Sequence, residues 1–146
     1  MSLQQELNAI PGVAARDAAT HGFVFNHTML RVKDIATSLD FYTRVLGFTL
    51  VRRRDFDEAK FSLYFLVLVD DPSQTPAEEP ARGEWLLGQR GVLELTHNHG
   101  TESDANFHYH DGNGEPRGFG HICVSVPDVE TGWTRFEQLG VPFHKR

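Results

Sequence analysis

The sequence predicts an α+β fold built from two related units, the second incomplete. Three observations carry this. Side chains alternate in the segments that begin at His27 and Val92, because a strand repeats every second residue. Apolar residues recur at helical spacing after Asp34 and again after Asp128. The opening of the first unit, H-T-M-L-R-V-K-D from His27, matches H-I-C-V-S-V-P-D from His121, and an internal repeat of this kind marks a duplicated unit.

Residues 1–22 mix small, polar and charged types around Pro11 and Gly12 and read as an N-terminal arm with one short helix. His27 to Val32 reads as a half-buried strand, with Thr28, Leu30 and Val32 on one side and His27, Met29 and Arg31 on the other. Asp34 then supplies an N-cap. Ile35, Leu39, Tyr42 and Leu46 follow at helical spacing until Gly47, a residue suited to the position just past a helix end. Phe48 to Arg54 and Phe61 to Val69 are aromatic and branched enough for strands. Asp70 to Glu84, with three prolines and five acids, reads as a surface excursion. Val92 to Asn98 returns as a strand with Val92, Glu94, Thr96 and Asn98 on one face.

In the second copy His121 opens a strand, Asp128 caps a helix carrying Val129, Trp133 and Phe136 on one side, and Leu139–Gly140 repeats the Leu46–Gly47 stop. Val141 to Arg146 offer at most the start of one further strand. The division expected is therefore an arm over 1–22, a first module over 23–100, a connecting loop over 101–118 and the start of a second module over 119–146.

Composition bounds the function. A chain of 146 residues, 40% hydrophobic with eleven Phe, can bury a core. Its net charge of −6 argues against nucleic-acid or membrane-surface partners, which reward basic surfaces. No segment approaches the run of about 18 apolar residues that spans a bilayer. Cys123 is the single cysteine, which fits a reducing compartment and a cytoplasmic location.

Two histidines at equivalent strand starts, His27 and His121, together with Glu94 between Leu93 and Leu95, form a donor set suited to a divalent transition metal. Glu94 has the alternative of an outward-facing charge on a one-sided sheet, and Arg31 and Arg117 that of ordinary solvation. His97 falls on the strand face opposite Glu94, and His99, His108 and His110 read as solvated loop residues. Cys123, beside Ile122 and Val124, reads as a quiet buried thiol, and Trp133 with Phe136 as core.

The segments HTMLRVKDIATSLDFYTRVLGFTL, KFSLYFL, LELTHNHGTE and EPRGFGHICVSVPDV resemble long-form glyoxalase I (lactoylglutathione lyase), over about Phe25 to Phe143. The resemblance implies the vicinal-oxygen-chelate fold, in which paired βαβββ modules form a cupped mixed sheet around a metal site, here with the second module incomplete. It implies a metal-dependent lyase that isomerises the hemithioacetal of glutathione and methylglyoxal to S-lactoylglutathione. One divalent metal per site is expected, zinc favoured with nickel or cobalt as alternatives, held by His27, Glu94 and His121. Long-form zinc enzymes often have Gln at the first of these positions, where this chain has His27. The family's fourth ligand, a Glu in the last strand that also moves the proton, has no counterpart up to Arg146. Glu94 is then the catalytic carboxylate that remains, and weak metal binding and poor turnover are expected.

By the same resemblance Arg31, Asn98 and Arg117, with Thr96 on the strand between Glu94 and Asn98, would hold the glutathione moiety. Phe56, Phe61, Leu63 and Phe65 would line the pocket for the apolar end of the substrate. A homodimer with sites shared between subunits is implied. The competing expectations are another metal enzyme of the same fold, such as an extradiol dioxygenase or an epimerase, and a noncatalytic protein that sequesters its ligand.

Overall fold

Four strands and the helices around them follow the chain order β–α–β–β–α–β, after which a long loop leads to one more helix. The computed structural model describes residues 2–144; Lys145 and Arg146, the end of the segment read as the start of a further strand, lie outside it. The helix α1 (Leu3–Asn8) opens the arm, with Ser2 and Gln5 forming a reciprocal capping box. The strand β1 (His27–Val32) leads into α2 (Ile35–Asp40), which continues as one π-helical stretch over Phe41–Val45. Next come β2 (Thr49–Phe56), β3 (Phe61–Val67), α3 (Ala81–Gly88) and β4 (Val92–Asn98), and α4 (Val129–Gln138) ends the order. The first unit is thus a βαβββ module with α3 inserted before its last strand.

The sheet runs β1–β4–β3–β2. β1 pairs parallel with β4, and the other two pairings are antiparallel. Alternation along the strands sends two apolar sets to opposite faces. Val32, Tyr64, Leu66, Leu93 and Leu95 pack with Phe48 against Ile35, Leu39, Tyr42 and Leu46 of the α2 stretch. On the other face Val51, Val67 and Val92 pack with Leu86 of α3. That helix therefore covers one end of the second face, and the polar half of the face stays open.

The two copies of the repeat use the same local chemistry. Asp34 accepts a 2.9 Å hydrogen bond from the Thr37 backbone N–H, and Asp128 a 2.8 Å bond from that of Thr131. Gly47 and Gly140 end the two helical stretches at φ +80° and +70°, a left-handed conformation that side chains with a Cβ rarely adopt. Arg135 of α4 donates to the carbonyls of Arg44 and Val45, which docks the second helix on the end of the first.

Several expectations need correction. The excursion over Asp70 to Glu84 runs into α3, whose Leu86 is buried; its prolines and acids lie mostly ahead of the helix and mask it. Residues 121–126 form no ladder, because a strand is defined by its neighbour and none lies beside this segment among the described residues. Cys123 is consequently exposed, not buried. Trp133 and Phe136 are half-buried, and Trp133 stacks on Phe143 with ring centroids 3.8 Å apart. His99 is exposed but not merely solvated: its Nε2 lies 2.9 Å from the Ser62 hydroxyl, which donates to Asp55.

Candidate functional site

The register of β1 on β4 builds the site. His27 lies opposite Val92, Met29 opposite Glu94 and Arg31 opposite Thr96, so the open face collects His27, Met29 and Arg31 beside Glu94, Thr96 and Asn98. From β3, Phe61 lies opposite Asn98, Leu63 opposite Thr96 and Phe65 opposite Glu94. A cleft of about 330 Å³ is lined by Met29, Arg31, Phe61, Leu63, Glu94, Thr96 and Asn98. All but Met29 are residues the sequence singles out. Met29 was legible too, since the same alternation sets it between His27 and Arg31.

Within this face, His27 Nε2 lies 3.3 Å from Glu94 Oε2. The Glu94 side chain is 12% exposed, and a carboxylate so far removed from water is costly without a compensating partner. Its other oxygen accepts a long 3.4 Å hydrogen bond from the Thr96 hydroxyl. The Phe65 ring meets the imidazole edge-on at 6.1 Å. Further along, Arg31 Nη1 donates to Asn98 Oδ1 at 2.8 Å. Phe56 stacks on Phe61 with centroids 4.7 Å apart, and Arg54 lies over the Phe56 ring.

Two of the expected residues stand elsewhere. His121 is exposed on the segment without strand pairing, and Arg117 forms a 3.1 Å ion pair with Glu115 in the preceding loop; neither lines the cleft, whereas His27, Phe56 and Phe65, also outside its lining, adjoin it through Glu94 and Phe61. Among the described residues no group of three or more His, Cys, Asp or Glu side chains converges on a common point. An imidazole nitrogen and a carboxylate oxygen at this separation match two neighbouring ligands of a small divalent ion, which stand roughly 3 Å apart. Among the described residues these two donors meet without a third.

His97 turns to the opposite face, as its position in the alternation requires. It is buried, and its Nε2 lies 2.9 Å from Glu102 Oε2. Hydrogen bonds from backbone N–H groups, then that imidazole, hold the Glu102 carboxyl below the usual carboxylate range. A larger cavity of about 680 Å³ runs between β1, the α2 stretch and the 107–119 loop. It is walled by Phe41, Tyr42, Phe107, Tyr109 and Phe119, with Arg31, His108 and His110 also in its lining, and contains no carboxylate; the pairing of an imidazole with a carboxylate is found on the face of the smaller cleft.

A βαβββ module whose open face carries histidine and glutamate on adjacent parallel strands defines a class, and comparison agrees: residues 24–146 match the Glyoxalase/Bleomycin resistance protein/Dioxygenase superfamily, and the chain belongs to that family. Membership implies a divalent metal. More particularly, the chain is 69% identical to a lactoylglutathione lyase of Pseudomonas putida, over all of this chain and 84% of that protein. It is 53% identical to a lactoylglutathione lyase of Pseudomonas aeruginosa, over 99% of this chain and 81% of the relative. Among solved structures, the trypanothione-dependent glyoxalase I of Leishmania major is similar at 30% identity with a TM-score of 0.60, covering 85% of this chain and 71% of that one.

Proposed function

We propose that this protein is a lactoylglutathione lyase, isomerising the hemithioacetal of glutathione and methylglyoxal to S-lactoylglutathione. The observation that carries the reading is the pairing of His27 with Glu94 on the same face as the Arg31–Asn98 pair. On this reading the face has a metal-binding end at Glu94, with His27 beside it, and an anion-binding end at Arg31 and Asn98. The similarity to two lactoylglutathione lyases over essentially the whole chain supports it.

His27 and Glu94 would hold the metal, with zinc favoured and nickel or cobalt as alternatives. His121 would complete the set from the second subunit of a homodimer, since it stands apart from the cleft in its own chain. A bound divalent cation supplies Lewis acidity, lowering the cost of negative charge on the substrate oxygens. The remaining work falls to the chain. Arg31, steadied by Asn98, binds a glutathione carboxylate, for which a guanidinium fork is the suited partner; Arg117 adds to this from its loop and Thr96 from the strand. Phe61, Leu63 and Phe65, backed by Phe56, exclude water and seat the methyl end. Glu94 takes the proton from the carbon bearing sulfur, and the neighbouring carbonyl carbon gains one, so a hydroxy thioester forms without net redox change.

The reading retains the first module over 23–100 and the second over 119–146, a division supported by the matching capped helices α2 and α4, and a cytoplasmic location. No helix among the described residues is long and apolar enough to cross a membrane. The test is ultraviolet detection of thioester formation from methylglyoxal and glutathione. Product that depends on both reactants is expected; oxygen uptake with a catechol and no thiol dependence would replace the reading with a dioxygenase.

A further inference from the structure

Asn26, immediately ahead of β1, joins the end of α3 to the candidate metal ligand. Its Nδ2 lies 2.8, 3.2 and 3.0 Å from the carbonyl oxygens of Leu86, Leu87 and Gln89. These are carbonyls at the C-terminus of a helix, where the last turn lacks the donors of the helix interior; that of Leu86 also accepts from Gln89 N–H at 3.1 Å. Its backbone is fixed as well, since its carbonyl accepts from Val92 N–H at 2.9 Å. The other end of the amide, Oδ1, lies 2.7 Å from His27 Nδ1.

The direction of each bond follows from what the atoms can do. Carbonyl oxygens only accept, so the amide must present its NH₂ to α3. The amide oxygen only accepts too, so His27 Nδ1 must carry the proton and donate it. In a neutral imidazole the remaining nitrogen, Nε2, then has a free lone pair, and this is the atom 3.3 Å from Glu94 Oε2. Two acceptors facing each other at that distance leave a place for a cation between them.

We propose that Asn26 is a positioning residue: from the C-terminal end of α3 it fixes the His27 ring in the tautomer whose Nε2 lone pair faces Glu94. Its consequence for metal binding rests on the reading of His27 and Glu94 as ligands, whereas the tautomer is a property of the metal-free chain. The source of the rigidity is α3. Leu86 is 3% exposed in its cluster with Val51, Val67 and Val92, and Arg52 pairs with Glu79 at 2.9 Å just ahead of the helix. A ligand held through its second nitrogen binds metal more tightly, and loss of such a support typically costs about 10- to 100-fold in affinity.

The experiment is long-range ¹H–¹⁵N NMR of the imidazoles in the metal-free protein at about pH 8, above the ordinary histidine range, joined to zinc affinity by competition with a chromophoric chelator. His27 is expected as the Nδ1–H tautomer, the form imidazole disfavours in water. Asn26→Ala is expected to return it to Nε2–H and to weaken zinc binding by about 10- to 100-fold. Asn26→Asp, which retains an acceptor beside Nδ1 but loses the donor to α3, is expected to preserve the tautomer while lowering the Tm. A proton on His27 Nε2 in the metal-free parent protein, with or without one on Nδ1, overturns the proposal without recourse to any variant, as does a tautomer that Asn26→Ala leaves unchanged. If the tautomer behaves as expected and the parent protein binds no zinc, the positioning stands and the metal-ligand reading fails instead.

Discussion

Arg31 and Asn98 stand in the same diagonal relation as His27 and Glu94: in each pair the β4 residue lies two positions beyond the Cα partner of the β1 residue. A single parallel register thus builds both ends of the cleft. Slippage by one residue would turn every side chain of the slipped strand to the other face and dismantle both pairs together.

Removing either end should have a different kinetic signature. Arg31→Ala removes a charged hydrogen-bond donor, worth about 1.5–3 kcal/mol, so KM for the hemithioacetal is expected to rise about 10- to 100-fold with a smaller change in kcat. Asn98→Ala should move KM the same way by less. Steady-state kinetics with the two variants check this, and an unchanged KM for Arg31→Ala would remove the residue from the binding role.

At the other end the loss should fall on metal and rate. His27→Ala and Glu94→Gln are each expected to lower zinc occupancy and to reduce kcat at least about 100-fold, as when a transition-state stabilising group is deleted. Metal analysis after dialysis, run beside the rate assay, separates the two effects. Full occupancy in both variants would contradict the assignment.

Leu95, between Glu94 and Thr96, points to the opposite face and is completely buried with Tyr64, Leu66 and Leu93. Leu95→Ala should cost about 2–5 kcal/mol, the lost transfer free energy plus an imperfectly closed cavity. Denaturant unfolding measures it. Where the variant remains folded, KM is expected to stay within about twofold of the parent, because the face it lines is not the substrate face.

Acid should weaken the fold through its helix caps. The Thr37 backbone N–H holds the Asp34 carboxyl below the usual carboxylate range, and the Thr131 hydroxyl, then its N–H, does so for Asp128. Ser62, then Arg53, depresses Asp55 in the same way. A carboxyl lowered by folding contributes stability that is fully present above its unfolded value, about 4, and is lost as pH falls through the lowered folded value. The Tm is therefore expected to hold from pH 7 to about 5 and to fall below about 4. Asp34→Asn with Asp128→Asn, which retains cap acceptors without the charge, should flatten that fall; a Tm that climbs on acidification would refute the account.

The strand faces were legible because alternation is local: His27, Arg31, Glu94, Thr96 and Asn98 could be assigned to faces from the sequence alone, and the β1–β4 register then made the two pairs. The capped helices after Asp34 and Asp128 were legible for the same reason. α3 was not, since its stability comes from Leu86 packing on Val51, Val67 and Val92, a contact no local pattern reveals. The β-structure expected at His121 also depended on a neighbour, and without one the segment carries His121 and Cys123 exposed. Asn26 escaped notice because its partners, Leu86, Leu87 and Gln89, are distant in sequence. Asparagine before a strand signals nothing by itself.

The claim on which the rest depends is that His27 and Glu94 share one cation. Anomalous diffraction from crystals grown with zinc tests it directly. A peak within about 2.3 Å of both His27 Nε2 and a Glu94 carboxylate oxygen is the result the account predicts. Zinc bound to neither residue, or to His27 with Glu94 turned away, would contradict it.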